Sequence, residues 1–199
     1  MSSEPSPTKR LKKLAAEIPD DKESRAMLQG LEAQDNPLSD YAIALIGASL
    51  LEKALEIALL ARFVELSKDE RTRLFQPKGP LAGLALSSQV AYAIGIFGPK
   101  SQSDIDHVRT IRNAFAHGRR TLSFETREVA EICRLLRVPD IVTIAESTAD
   151  FRTARGRYIE TCVTLAECLK SSLSDPANVT KRRPLNRHAF LRARERLLA

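Results

Sequence analysis

Arg112, Asn113 and His117 are the residues of this chain whose types and spacing could do chemistry. They stand together in Ile111-Arg112-Asn113-Ala114-Phe115-Ala116-His117-Gly118. An arginine holds and neutralises a phosphate through charge-assisted hydrogen bonds. A histidine gives or takes a proton near neutral pH. With RNA as substrate, Arg112 would clamp the phosphodiester. His117 would serve as general acid or base on the 2′-hydroxyl or the leaving 5′-oxygen, and Asn113 would orient one of the two. Attack by a 2′-hydroxyl needs no metal. No His, Cys, Asp or Glu set in the sequence has metal-ligand spacing, so neither a metal nor a cofactor is expected.

The elements that must position this trio set a difficulty. Ile105, Val108 and Phe115 repeat at helical spacing and mark one apolar face, and Arg112 falls on that face. A guanidinium there needs a carboxylate or hydrogen-bonding partner, because an unpaired buried charge is costly. Five helical residues turn about 500°, which leaves Arg112 and His117 roughly 140° apart. A shared site therefore requires His117 to bend inward at the helix end, or two chains to pool their residues. The bland alternative is structural: Arg112 as a helix-to-helix ion pair and His117 as a cation at the negative end of the helix dipole.

The partner for Arg112 is sought on the longest apolar helix, about Leu38 to Leu66. Its apolar residues run nearly all round, as in the buried centre of a bundle. Ser49, Glu52, Lys53 and Glu56 form its one polar stripe. Either the stripe is the solvated strip of a central helix, or one of its acids answers Arg112. Glu52 is the favoured acid, giving an expected Glu52–Arg112 ion pair.

The remaining elements read as helices. Asp21 to Ala33 is one, and Asp35-Asn36-Pro37 is a turn. Ser67-Lys68-Asp69-Glu70 has capping-box spacing and predicts a short helix ending near Phe75. Leu81 to Ile96 is a small-residue helix. Gly98-Pro99-Lys100-Ser101 ends it and caps a helix from about Ser103 to His117, with Gly118 as a natural left-handed C-terminal residue. Helices are also expected over Glu125 to Arg137 and Thr148 to Ser174, joined by an apolar loop. No period-2 alternation persists, so no sheet is expected. The fold class is all-α, a compact helical bundle. Residues 1–35 are expected to be a flexible extension with short helices, 36–176 the helical domain, and 177–199 a basic tail.

The 199 residues carry 43% hydrophobic and 28% charged side chains, which suits one globular domain with tails. The longest apolar run, Tyr41 to Leu51, falls short of the about 20 residues a membrane span needs. The start of the chain lacks the apolar core of a signal peptide. Cys133, Cys162 and Cys168 form an odd set without close pairing and read as buried reduced thiols, which points to the cytoplasm. His107 and His188 have no neighbours at ligand spacing and are expected at the surface. The net charge of +6 is uneven. Lys181, Arg182, Arg183, Arg187, Arg192, Arg194 and Arg196 face a single acid, Glu195, so the tail carries a charge equal to that of the whole chain. Such a tail is either a solvated end or an arm for phosphates of RNA or DNA. No helix-turn-helix, P-loop or dinucleotide fingerprint is present.

Arg112, Asn113 and His117 resemble the R-[N/D/H]-x-x-x-H motif of HEPN domains. That resemblance implies an all-helical, often dimeric fold. In many such domains it also implies a metal-independent endoribonuclease site; others keep the fold without the activity. A second resemblance covers about half the chain, from Leu38 to about Leu135. It rests on the run ALIGASLLEKALE from Ala44 to Glu56, then Gly79-Pro80-Leu81, Ala91-Tyr92-Ala93-Ile94-Gly95, the Arg112-to-His117 helix and Leu122-Ser123-Phe124. These stretches resemble the mannitol operon repressor family of bacteria. The resemblance implies an all-α protein with no recognised DNA-binding motif. Its expected function is transcription regulation in the cytoplasm through protein partners, with a link to sugar-alcohol genes. The alternatives are an endoribonuclease of toxin-like type and a scaffold that binds nucleic acid through the tail. A protein partner is expected in the first reading, a homodimer is compatible with all three, and no membrane is involved.

Overall fold

The structure, a computed structural model, describes residues 37–118, 121–137 and 151–171, together with Leu28, Gly30 and Leu31. Within these residues it is all-helical: α1 Pro37–Arg62, α2 Lys68–Phe75, α3 Leu84–Ala93, α4 Pro99–His117, α5 Arg127–Arg134 and α6 Ala154–Ser171. Most of the expected helix over 21–33, all of residues 138–150, His188 and the whole basic tail, Lys181 to Arg196 included, lie outside the described residues.

α1 is the central element and packs along α6, α3 and α4. Its all-round apolar surface explains that position, since a helix with no single polar face must be covered on several sides. Ile43, Ala44, Ala48, Leu51, Ala54, Leu55, Ala58 and Leu59 are all buried. Leu51 and Leu55 join Ile105, Val108, Ile111 and Phe115 of α4 in one core cluster, as the helical spacing predicted. Phe115, Phe124 and Tyr158 continue the core as a chain of tilted rings, with centroids 5.3 and 5.2 Å apart.

α1 packs closely on α6, and that packing depends on Gly47. A β-carbon there would stand 2.9 Å from Cε1 of Tyr158 and 3.1 Å from Sγ of Cys162. Neither atom can retreat easily, because both residues are themselves buried. The Tyr158 hydroxyl donates a 2.7 Å hydrogen bond to the Ala44 carbonyl, so the contact is latched as well as packed. That carbonyl has a second lone pair beyond its helical bond, which lets a side chain dock on α1 without unwinding it.

Two polar clamps tie helices of the bundle together. Asp40, in the first turn of α1, accepts the Phe124 backbone N–H at 2.9 Å through Oδ2. Its Oδ1 lies 2.5 Å from the Arg155 guanidinium, a charge contact rather than an aligned hydrogen bond. One buried carboxylate thus ties α1 to the connector before α5 and to the start of α6. Asp104 of α4 accepts the Arg137 N–H, at 3.1 Å through its nearer oxygen. Arg157 of α6 donates to the carbonyls of Cys133 and Leu136, which capture the orphan carbonyls at the end of α5.

Helix boundaries differ from the sequence expectation where capping chemistry overrides periodicity. α4 begins at Pro99, about four residues earlier than expected, because proline is suited to the first helical position and Gly98 supplies the extended cap. α2 starts where its capping box placed it: Ser67 accepts the Glu70 N–H and Glu70 accepts the Ser67 N–H. Gly118 is not left-handed. Its φ of −63° and ψ of 138° send the chain out extended after its N–H closes a last 2.8 Å bond to Ala114. The expectation of three buried thiols is corrected at one position. Cys133 and Cys162 are buried, whereas Cys168 is exposed, because it lies toward the outer side of the last turns of α6.

Candidate functional site around Arg112

Arg112 sits on α4 beside the core face, half-buried and between buried Val108 and Phe115. Its guanidinium donates a 3.1 Å hydrogen bond to Oδ1 of its neighbour Asn113. Its charge also reaches inward, where it favours the ionised forms of Glu52 on α1 and of Tyr158 on α6. Arg112 is therefore the positive charge at the junction of α1, α4 and α6.

Glu52 is held differently from the ion-pair expectation. Its carboxylate lies close enough to the backbone N–H of Leu84, the first residue of α3, for that group to favour the ionised form. Gly83, the cap position of α3, offers no side-chain acceptor, and the acid near that helix end comes from α1. Negative charge at that end also complements the helix dipole. Arg112 acts on Glu52 as a nearby charge, without a direct ion pair between them among the described residues. The rest of the polar stripe separates: Ser49 is exposed, and Lys53 and Glu56 pair with each other at 3.1 Å. The stripe is thus partly a solvated strip and partly a bridge to the neighbouring helix.

Burial dominates the Glu52 carboxyl and raises its pKa above the ordinary value of 4.5, with Arg112 and the Leu84 N–H opposing the rise. The folded state then binds the proton more tightly than the unfolded chain does. Stability from this group is complete below the unfolded value and is lost as pH climbs through the raised folded value. Glu52→Gln keeps an acceptor for Leu84 and removes the titration. Thermal melts of the variant from pH 4 to pH 7 should show a smaller loss of stability with rising pH than the parent protein. An identical pH profile in the two would show that Glu52 does not feel its burial.

His117, the final residue of α4, is exposed. No hydrogen bond links it to Arg112 or Asn113 among the described residues. The structure brings Arg112 and Asn113 together and places Glu52 and Tyr158 within the reach of the same charge, but it leaves the imidazole at the rim. His107 departs from its expected surface position. It is half-buried on α4, and its Nδ1 is enclosed without a hydrogen-bond partner. Among the described residues no group of three His, Cys, Asp or Glu side chains could hold a metal ion. Burial pushes the Cys133 thiol up to about 12 and raises Cys162 as well, so neither supplies a thiolate nucleophile near neutral pH.

Sequence reasoning missed two groups that shape this region. Tyr158 was read only as part of a long helix, and its latch to Ala44 has no local signature. Asp40 is visible as an acid in the first turn of α1, but its acceptor role depends on Phe124, 84 residues further along.

No family model matches the chain, and no curated protein matches it. The fold is similar to that of a solved structure, a possible transcriptional regulator, YggD, from Shigella flexneri 2a str. 2457T. The two superpose with a TM-score of 0.52 at 18% sequence identity, over 75% of this chain and 98% of that one. The likeness is one of fold: the same all-helical arrangement on a largely different sequence.

Proposed function

We propose that this protein is a cytoplasmic regulator of transcription of the mannitol operon repressor type, working through protein partners rather than by reading an operator itself. The observation that carries the reading is the shared fold with a possible transcriptional regulator, over nearly the whole of that protein's length. The resemblance of Ala44 to Glu56 and of the stretches after it to the mannitol operon repressors points the same way and suggests sugar-alcohol uptake genes as targets. The Arg112 neighbourhood fits a structural role: the guanidinium donates to Asn113, and its charge favours the ionised form of Glu52 nearby. No helix among the described residues is long and apolar enough to cross a membrane.

A second reading, a metal-independent endoribonuclease, is favoured by one observation: His117 is exposed at the end of the helix that carries Arg112, so its imidazole is open to a substrate. The two readings separate in one experiment. In cells lacking the protein, transcripts of sugar-alcohol uptake genes should change in abundance. Their half-lives after initiation is blocked should be the same as in the parent cells. Altered half-lives, together with cleavage of single-stranded RNA by the purified protein that His117→Ala abolishes, would replace the regulatory reading with the nuclease.

A further inference from the structure

An apolar cleft of about 70 Å³ lies between the α3–α4 connection, α4 and α6. Ile96 and Phe97 wall one side, Ile105 of α4 another, and Leu165, Cys168 and Leu169 of α6 the third. No charged side chain lines it among the described residues, and Cys168, which is exposed, stands at its rim. The space is several times the about 10–15 Å³ that one water needs, yet water there would find few polar partners. Its lining forgoes dispersion contacts until an apolar group covers it.

The chain itself passes beside the opening. Cys168 and Leu169 belong to the last turn of α6, which is described to Ser171. A segment tethered that closely is present at high effective concentration before it makes any contact. Composition narrows the choice further. From Lys181 onward the chain is dense in cations, and a cation in this lining would lose its water with nothing to pair it. Residues 172–180 carry one charge, Asp175, and their first large apolar residue is Leu173. Leu173 stands four positions after Leu169 and eight after Leu165, on the same helical row. Helical side chains lean toward the N-terminus of their helix, so one further turn lays Leu173 back over Leu169 and the rim of the cleft. Asp175-Pro176 permits that turn and little more, because the residue before a proline avoids the helical conformation. The sequence spacing predicts a helix to Ser174 in the same way.

We infer that residues 172–174, which follow the described part of α6, dock on this cleft and close it with Leu173. The closure covers the Cys168 thiol. It also moors the basic tail, because Ser174 stands seven residues before Lys181. The mooring point is remote from the imidazole: Ile105 lies in the second turn of α4 and His117 at its end, about 18 Å apart along the helix axis. The tail therefore starts from the end of α4 that does not hold His117, and a polyanion caught by its arginines is first met there.

Alkylation of the full chain by N-ethylmaleimide tests this, and it reads thiol access without reference to transcription. Cys133 and Cys162 are buried, so Cys168 is the thiol that reacts in the folded protein. Leu173→Asp should speed its modification by roughly 10-fold or more, since a carboxylate cannot stay in an apolar cleft. Leu173→Ala should act in the same direction by a smaller factor and covers the case in which Leu173→Asp does not fold. Leu173→Met should keep the rate of the parent, and so should Leu185→Asp, further along the tail. Equal rates in the parent, Leu173→Asp and Leu173→Ala overturn the inference, whether the cleft is open or closed by another group. Protection of the parent that grows with protein concentration overturns it too, because a second copy is then the cover.

Discussion

Asp40→Ala is expected to cost about 3–5 kcal/mol, the range for removing one partner of a buried charge pair. The carboxylate is 1% exposed and serves two groups, one of them sealed in the core. The Phe124 N–H would lose its acceptor inside the core, where Phe124 itself is 1% exposed. The Arg155 guanidinium, 15% exposed, would lose the carboxylate it faces. Asp40→Asn separates the two contributions, since its amide oxygen can still accept from Phe124 while the charge is gone. Urea unfolding should therefore rank the parent above Asp40→Asn and Asp40→Ala lowest. Equal midpoints for the parent and the alanine variant would mean that water or a neighbouring side chain replaces the carboxylate freely.

Leu55→Ala should destabilise by about 2–5 kcal/mol, the range for emptying a leucine site in a packed core. Leu55 has no exposed surface and sits on the one helix that touches α3, α4 and α6. The cavity would open where three helices meet, and collapse around it would have to move more than one of them. Leu135→Ala provides the contrast. That leucine is 55% exposed, and its loss should change stability by no more than about 0.5 kcal/mol. Denaturation midpoints that shift equally for the two variants would contradict the assignment of α1 as the centre of the core.

Local chemistry was legible where the deciding atoms lie within a few residues of one another. The capping box at Ser67 and Glu70, the apolar face of Ile105, Val108, Ile111 and Phe115, and the all-round apolar surface of α1 follow from side-chain spacing along a 3.6-residue helix. From them the all-α class and the central place of one helix could be read directly. The unusual position of Arg112 was legible in the same way, because a charge on an apolar face is an anomaly that needs only the period to see it.

Tertiary structure decided which groups answer each other across the bundle. Arg112 and Glu52 were both visible as polar residues among apolar neighbours. That Glu52 lies near the start of α3, with Arg112 acting on it as a nearby charge, depends on how α1, α3 and α4 are laid side by side. The same holds for Asp40 with Phe124 and Arg155, and for Tyr158 with Ala44. A hydrogen bond is short-ranged and directional, so its partner is set by the packing of helices distant in sequence. Gly47 shows the reverse dependence. It is one small residue in an apolar run, and only the approach of α6 to within contact of its missing β-carbon reveals why a side chain is absent there.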